Sequence, residues 1–346
     1  MRMQRGERLG QKGSGYRTKR EETPASVWRE KEHLDGKIVD VGVVILHTTG
    51  CSHFHKGGCS MCGYNIESNP NATPKDIERQ FESGVNKLEE IEFLKIYTSG
   101  SFLDECEMPI ECTETILRTC ADRDWRLLFE SRPEYVVPSR IDQALGIHEK
   151  LEVAVGLESS NDNVLNYSIN KGLTVSDYER AASVLQERGL PLRTYVLLKP
   201  PFLTEAEAVA DAVSTTEFAS RRSYAVSLNP VNVQKGTVVE RLWRDWSYRP
   251  PWLWSVLEVL KASAGSKCKL ICDPTGGGKE RGAHNCGKCD GAVLDSVRAF
   301  SLSQDSSRLG SPDCSCRELW QAIMDAEGFV MGGTPDLQRF FKRHRA

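Results

Sequence analysis

The chain has 346 residues with 45 basic and 48 acidic side chains, a length that suits one large domain with a smaller appendage. Its best apolar run, 41–46, is far too short to cross a bilayer, so no membrane association is expected. Arg2, Arg5 and Arg8 are not followed by an apolar stretch, which argues against a secretory leader and for a cytoplasmic location.

Residues 1–35 read as an irregular basic extension, with Gly6, Gly10, Gly13 and Gly15 among the charges. The last residues are basic again, with Arg339, Lys342, Arg343 and Arg345. Basic ends on a near-neutral body suit a polyanion such as RNA, and equally suit solvated tails. A βα rhythm then begins. Strands are expected over 39–47, 91–98, 126–130, 151–157, 191–198 and 225–228, each an apolar or β-branched run. Between them helices are expected from Thr73-Pro74, over 108–120, over 139–145, from Thr174 and from Thr204. Six such units imply a parallel α/β sheet: an incomplete (β/α)6 TIM-like barrel over 36–240, or a doubly wound sheet with the same periodicity. In either, chemistry belongs at the C-terminal ends of the strands. Residues 241–346 read as a Cys-rich extension. Trp243, Trp246, Trp252 and Trp254 are expected to pack a helix (251–262) onto the barrel, and a last helix covers 317–326.

Twelve cysteines need a reason, and their clustering points to metal. Cys51, Cys59 and Cys62 directly follow the first strand. Three thiolates can bind three irons of a [4Fe–4S] cube and leave the fourth open. Zinc, with His53 or His55 as fourth ligand, is the alternative that this spacing allows. Cys286, Cys289, Cys314 and Cys316 form a second candidate set, with Cys272 and His284 as reserves. Zinc is the expected ion there, and a second iron–sulfur cluster is its competitor. Cys106, Cys112 and Cys120 lack ligand spacing and read as core thiols.

Several segments together resemble the radical-SAM superfamily, in its Elongator-catalytic-subunit-like branch. Phe129-Glu-Ser-Arg-Pro-Glu-Tyr135 looks like that branch's E-T-R-P-D-Y segment, Val155-Gly-Leu-Glu-Ser159 like its G-V-Q-S strand end, and Asn170-Lys-Gly172 like its N-R-G. The usual C-x3-C-x2-C is stretched here, with seven residues between Cys51 and Cys59, and Met61 stands where an aromatic is common. That long loop, Cys62-Gly-Tyr64 and His284-Asn-Cys286-Gly-Lys-Cys289-Asp290 resemble more closely the radical-SAM subunit of archaeosine synthase.

The resemblance implies a [4Fe–4S] cluster with S-adenosylmethionine on its open iron, a 5′-deoxyadenosyl radical, and an electron donor. It implies tRNA as substrate and a transglycosylase-like partner subunit that attaches lysine to a 7-cyano-7-deazaguanine base in the D-arm. The expected reaction is a lyase step on that lysine's C–N bond, leaving the archaeosine amidine. It further implies cofactor contacts from Gly100 and Ser101 in the Thr98–Phe102 turn, from Glu130, Glu158 and Ser159, and from Asn229 near adenine. Arg132 belongs to the same region. Arg193, or less favourably Lys199, is the expected cation for a carboxylate. Another RNA-modifying radical-SAM enzyme, or a zinc-stabilised RNA-binding protein, is the competing reading.

Overall fold

The computed structural model describes residues 22–330 apart from residue 67. The six expected strands are present as β2 (Lys37–Ile45), β3 (Phe93–Tyr97), β4 (Arg126–Ser131), β5 (Leu151–Glu158), β6 (Leu192–Leu198) and β7 (Ala225–Pro230). Two more flank them: β1 (Ser26–Leu34) pairs antiparallel with β2, and β8 (Lys269–Ile271) pairs parallel with β7. The 22–34 stretch is therefore largely strand, against the expectation of an irregular extension. The basic residues of 1–20 and 339–345 lie outside the described residues.

All eight strands form one sheet in chain order, parallel from β2 to β8. The sheet is curled, and Lys269 on edge strand β8 reaches across to Glu32 on edge strand β1 at 3.0 Å. The architecture is an α/β barrel of one curled, mostly parallel sheet with helices packed against it.

The helices are α1 (Pro74–Val85), α2 (Ile110–Asp122), α3 (Pro138–Leu145), α4 (Val175–Glu187), α5 (Glu205–Ser220), α6 (Val238–Arg244), α7 (Leu253–Ser263), α8 (Asp290–Ser303) and α9 (Cys316–Val330). Three of them start alike. Thr73, Thr174 and Thr204 each cap a helix whose third residue, Asp76, Asp177 or Glu207, returns the bond in a capping box. These caps fix where each connection leaves a strand end, and hence the shape of the barrel mouth. Among the described residues no helix is long and apolar enough to cross a membrane.

Apolar residues pack in two places. The larger core lies between sheet and helices and extends without a break to Trp254, Phe300 and Trp320. The smaller one holds Val41, Val43, Phe93, Leu128 and Ala154, with Tyr97 and Tyr195 against it, inside the barrel. Towards the N-terminal end of the parallel strands the interior becomes an ionic layer. Glu32 meets Lys95 at 2.6 Å and Arg193 at 2.5 Å, and Arg193 also meets Glu152 at 2.7 Å. Desolvation alone would raise the Glu32 pKa, but Arg193, Lys95 and Lys269 outweigh it and hold the carboxyl well below its usual range.

The tryptophan cluster divides. Trp252 and Trp254 are buried against the helix layer, whereas Trp246 is 91% exposed and packs nothing. Cys112 and Cys120 are core thiols as expected, but Cys106 is exposed.

Candidate active site

β2 delivers the chain to the C-terminal end of the sheet, and the loop that follows carries Cys51, Cys59 and Cys62. Local bonds hold this loop. Cys51 N donates to Asn65 Oδ1 at 2.8 Å, Phe54 N to the Cys51 carbonyl at 3.0 Å and Cys62 N to the Cys59 carbonyl at 3.2 Å. It is clamped from above by the 168–172 segment. Ser60 donates its backbone N–H to the Ile169 carbonyl at 2.8 Å and its hydroxyl to the Ser168 carbonyl at 2.7 Å. Asn170 Nδ2 donates to the Gly58 carbonyl at 2.7 Å, and His53 Nε2 lies 2.8 Å from the Asn170 carbonyl. Gly172, at φ +69°, lies flat against the His53 ring where a Cβ has no room. His53 is thereby a clamp for the loop, and His55 is exposed.

The three thiols are close enough to feel one another. Burial pushes the Cys51 and Cys59 pKa values up and Cys62 to about 12; ionised Cys51 would raise Cys59 further, and Cys59 and Cys51 would raise Cys62. Such a trio loses its protons readily only to a shared cation. The thiol donor set and its placement after β2 therefore fit a three-thiolate iron–sulfur cluster.

The Thr98–Phe102 turn after β3 stands directly beside Cys51. A Cβ added to Gly100 would lie 2.8 Å from Cys51 Sγ. The turn is gathered around a residue that sequence reasoning missed. Glu107 accepts the backbone N–H groups of Ser99 and Gly100, both at 2.9 Å, and of Ser101 at 2.7 Å, and the Thr48 hydroxyl at 2.8 Å. An acidic residue shortly after a glycine-rich turn was the available signal. Ser101 belongs to the turn, and its hydroxyl lies 3.1 Å from Ser131 Oγ and accepts from Arg132 N at 2.7 Å.

Glu130, Glu158 and Asn229 end their strands as expected. Burial, with Glu158 and Glu107 adding like charge, pushes Glu130 to about 7, against the lowering effect of a Tyr195 hydrogen bond. Glu158 is paired with Lys171 at 2.7 Å. Lys171 is a second residue that sequence reasoning passed over. Its charge, with that of Arg132, favours the Cys59 thiolate. Asn229 Oδ1 accepts from the Ser227 hydroxyl at 3.2 Å. Arg132 is buried, donating to Glu134 at 2.6 Å and to the Lys171 carbonyl at 3.0 Å.

Three expected contacts are placed elsewhere. Arg193 sits near the start of β6, at the opposite end of the barrel, fully engaged by Glu32 and Glu152. Lys199 turns to Glu205 at the head of α5 at 2.5 Å. Ser159 donates to Asp211 on α5 at 2.7 Å, in the helix layer. Cys286, Cys289, Cys314 and Cys316 come together at a separate place where α7, α8 and α9 meet. Cys272 and His284 stay outside that set: Cys272 is buried beside Ser301, and His284 Nδ1 lies 2.8 Å from the Gly282 carbonyl.

No protein-family model matches the chain. Archaeosine synthase subunit beta of Methanosarcina acetivorans is 40% identical over 324 residues, covering 91% of this chain and 93% of that protein. The chain belongs to the archaeosine synthase subunit beta family. The protein of that name from Thermococcus kodakarensis is 36% identical over 316 residues, 86% of this chain and 96% of its own. Among solved structures, the chain is similar to Elp3 of Methanocaldococcus infernus at 15% identity and TM-score 0.43, over 67% of this chain and 55% of that one. It is also similar to a radical SAM methyltransferase from Sphaerobacter thermophilus at 12% identity and TM-score 0.47, over 82% of each chain.

Proposed function

We propose that the chain is the radical-SAM enzyme of archaeosine synthesis in tRNA. It acts on a 7-cyano-7-deazaguanine base whose nitrile carbon carries lysine, and cleaves the lysine side chain's C–N bond to leave the amidine. The observation that supports this reading best is the placing of Cys51, Cys59 and Cys62 at the barrel mouth, with the Gly100 backbone tight against Cys51. The relatives' shared name, archaeosine synthase subunit beta, supplies the pathway and implies a partner subunit.

Cys51, Cys59 and Cys62 would hold the cluster, and together with S-adenosylmethionine it supplies a 5′-deoxyadenosyl radical when bound. The chain's own residues prepare that site. Glu107 fixes the turn whose backbone would take the methionyl end. Glu130, Glu158 and Asn229 offer polar atoms along the mouth for the adenosyl group, and Lys171 keeps Glu158 in place.

The target base must leave its stack to reach the mouth. Phe54, Tyr64, Phe202 and Trp246 are all exposed, on connections that leave or overlie the C-terminal ends of β2, β6 and β7. The Trp246 connection is tied to that end by the Val239 N–H on the Ser60 carbonyl at 3.3 Å and the Tyr248 hydroxyl on the Lys199 carbonyl at 2.7 Å. Exposed Lys56, Lys235 and Arg241 lie on the same connections. Aromatics interleaved with cations suit unpaired bases and phosphates.

The test is anaerobic reconstitution with iron and sulfide, then a reductant and S-adenosylmethionine, with 5′-deoxyadenosine read by mass. Cys51→Ala, Cys59→Ala and Cys62→Ala should each abolish it, and cleavage surviving in all three defeats the cluster assignment. Supplying lysine-adducted tRNA should then yield archaeosine. Deoxyadenosine without archaeosine from that substrate would move the enzyme to another RNA target.

A further inference from the structure

Apart from the Cys51 loop, four sulfur atoms meet with no role in the reaction above. Those of Cys286, Cys289, Cys314 and Cys316 all lie within 4.8 Å of one another. Cys286 and Cys314 are 3.6 Å apart, Cys289 and Cys316 3.6 Å, and Cys314 and Cys316 3.5 Å.

We propose that these four cysteines hold a single tetrahedral metal ion, zinc, which fastens the C-terminal helix to the barrel, and that they hold no second iron–sulfur cluster. Sulfurs about 2.3 Å from a central ion at tetrahedral angles stand about 3.8 Å from each other, close to the 3.5–3.6 Å of the three short pairs and inside the 4.8 Å that bounds the whole set. An iron–sulfur cube spreads its four thiolates outward from four different irons, so its ligands stand much farther apart. The sulfurs gather around one point.

A second observation shows that they gather as ligands. Two neighbours donate hydrogen bonds to them: Trp254 Nε1 to Cys316 Sγ at 3.3 Å, and Asn285 Nδ2 to Cys289 Sγ at 3.3 Å. Both donors are buried. Donors aimed at sulfur favour thiolate over thiol, and such outer contacts orient metal ligands. The Cys286–Cys289 knuckle is itself pinned. Asp290, at the head of α8, accepts Asn285 N at 3.1 Å and Gly287 N at 2.9 Å. Among the common divalent ions, zinc outcompetes iron(II) at a given thiolate site and has no geometric preference that opposes the tetrahedron.

The ion's position gives it a mechanical task. Cys316 begins α9, Trp254 lies on α7, and Cys289 immediately precedes α8. One ion therefore joins the starts of α8 and α9, and the Trp254 hydrogen bond ties α7 to them. Further along α9, Trp320 Nε1 donates to Ser255 Oγ on α7 at 2.9 Å, and Glu327 accepts the free N–H groups of Glu205 and Ala206 at 2.7 and 3.2 Å. Those last two open α5, directly after the mouth end of β6. The metal joint thus holds α9 where it can cap a barrel helix.

The test uses the full chain with Cys51, Cys59 and Cys62 all changed to Ala, so that any remaining metal belongs to the second site. Expected are one zinc per chain, no acid-labile sulfide, and, after exchange for cobalt(II), the intense visible bands of a tetrahedral cobalt–thiolate centre. Cys286→Ser with Cys314→Ser, the two ligands nearest the surface, should lose the metal and speed proteolysis of the 304–330 segment at least ~10-fold, read with the mouth cysteines intact. Should the triple variant fail to fold, zinc equal to the chain concentration in the unaltered protein gives the same answer. Iron with labile sulfide in the triple variant, or absence of metal with disulfides among the four cysteines, overturns the proposal. Neither result touches the deoxyadenosine assay, so the two readings fail separately.

Discussion

Gly100 lies in contact range of Cys51 with no room for a side chain between them, a Cβ there falling 2.7 Å from Cys51 Cβ and 2.6 Å from Glu107 Oε2. Glu107 is held by four hydrogen bonds around the turn, so Cys51, held through its backbone N–H by Asn65, is the neighbour that must yield. Gly100→Ala should therefore displace Cys51. Reconstituted protein should retain less cluster iron, and 5′-deoxyadenosine formation should fall roughly tenfold or more, equivalent to about 1.4 kcal/mol of barrier. Iron content and initial rates equal to those of the unaltered protein would show that the close approach has no functional consequence.

Glu107→Gln tests the turn. The amide retains one acceptor oxygen, but its NH2 must then face a backbone N–H. Hydrogen bonds to a charged group contribute about 1.5–3 kcal/mol each, so losing one and opposing its donor should cost about 2–3 kcal/mol. A lower urea midpoint with an unchanged slope is the expected reading.

At the other end of the barrel Glu32 neutralises three cations, Arg193, Lys95 and Lys269. Glu32→Gln leaves them buried together, and removal of one partner from a buried network costs about 3–5 kcal/mol. The acid sign follows from the lowered Glu32 pKa: its contribution is complete above the ordinary carboxyl value of 4.5 and drains away as pH falls through the folded-state value. Thermal melts across acidic pH should show this loss in the unaltered chain and a smaller dependence in the variant.

Glu130 predicts the opposite slope. With its pKa raised from 4.5 to about 7, the folded state binds a proton that the unfolded chain has released. Stability should therefore decline as pH rises from about 4.5 to 7, by an amount on the order of 3 kcal/mol from this group. Glu130→Gln should remove that part of the decline. A variant whose melting temperature falls over this range as steeply as the original would assign the slope to other groups.

Trp246, extended into solvent at φ +59°, should matter for RNA and not for folding. Trp246→Ala is expected to weaken tRNA binding roughly tenfold, consistent with about 1–3 kcal/mol for one stacked base. Its thermal midpoint and its RNA-free cleavage of S-adenosylmethionine should stay unchanged. Equal tRNA affinity in gel-shift titrations would remove Trp246 from the RNA face.

The parallel core was legible because its strands are buried on both faces and read as continuous apolar runs, and because threonine caps marked three helix starts. β1 was not. Its Glu30 and Glu32 look solvated in sequence, yet both pair with Lys95 inside the curled sheet. The loop that carries Cys51, Cys59 and Cys62 stood out from three cysteines after a strand. Which strand-end side chains face the mouth was less legible, because single residues in left-handed conformation redirect the chain there. Glu158 at φ +69° follows a register shift and sends Ser159 to the helices, and Lys199 at φ +63° turns outward. Arg193 was misplaced because strand membership does not say which end of the barrel a residue occupies. Glu107 lies beyond its turn in sequence, and only folding brings it underneath.

The Glu32–Lys269 contact joins residues 237 positions apart. A chain emerging from the ribosome therefore exposes its first strand long before the cation that completes the barrel floor has been made. Until β6 and β8 arrive, the edge strand β1 carries an inward-pointing Glu32 without Arg193 or Lys269, a poor template for pairing with other nascent chains. The charges that close the finished barrel also shield the unfinished one from aggregation, and the last step of folding waits on the last strand to be synthesised.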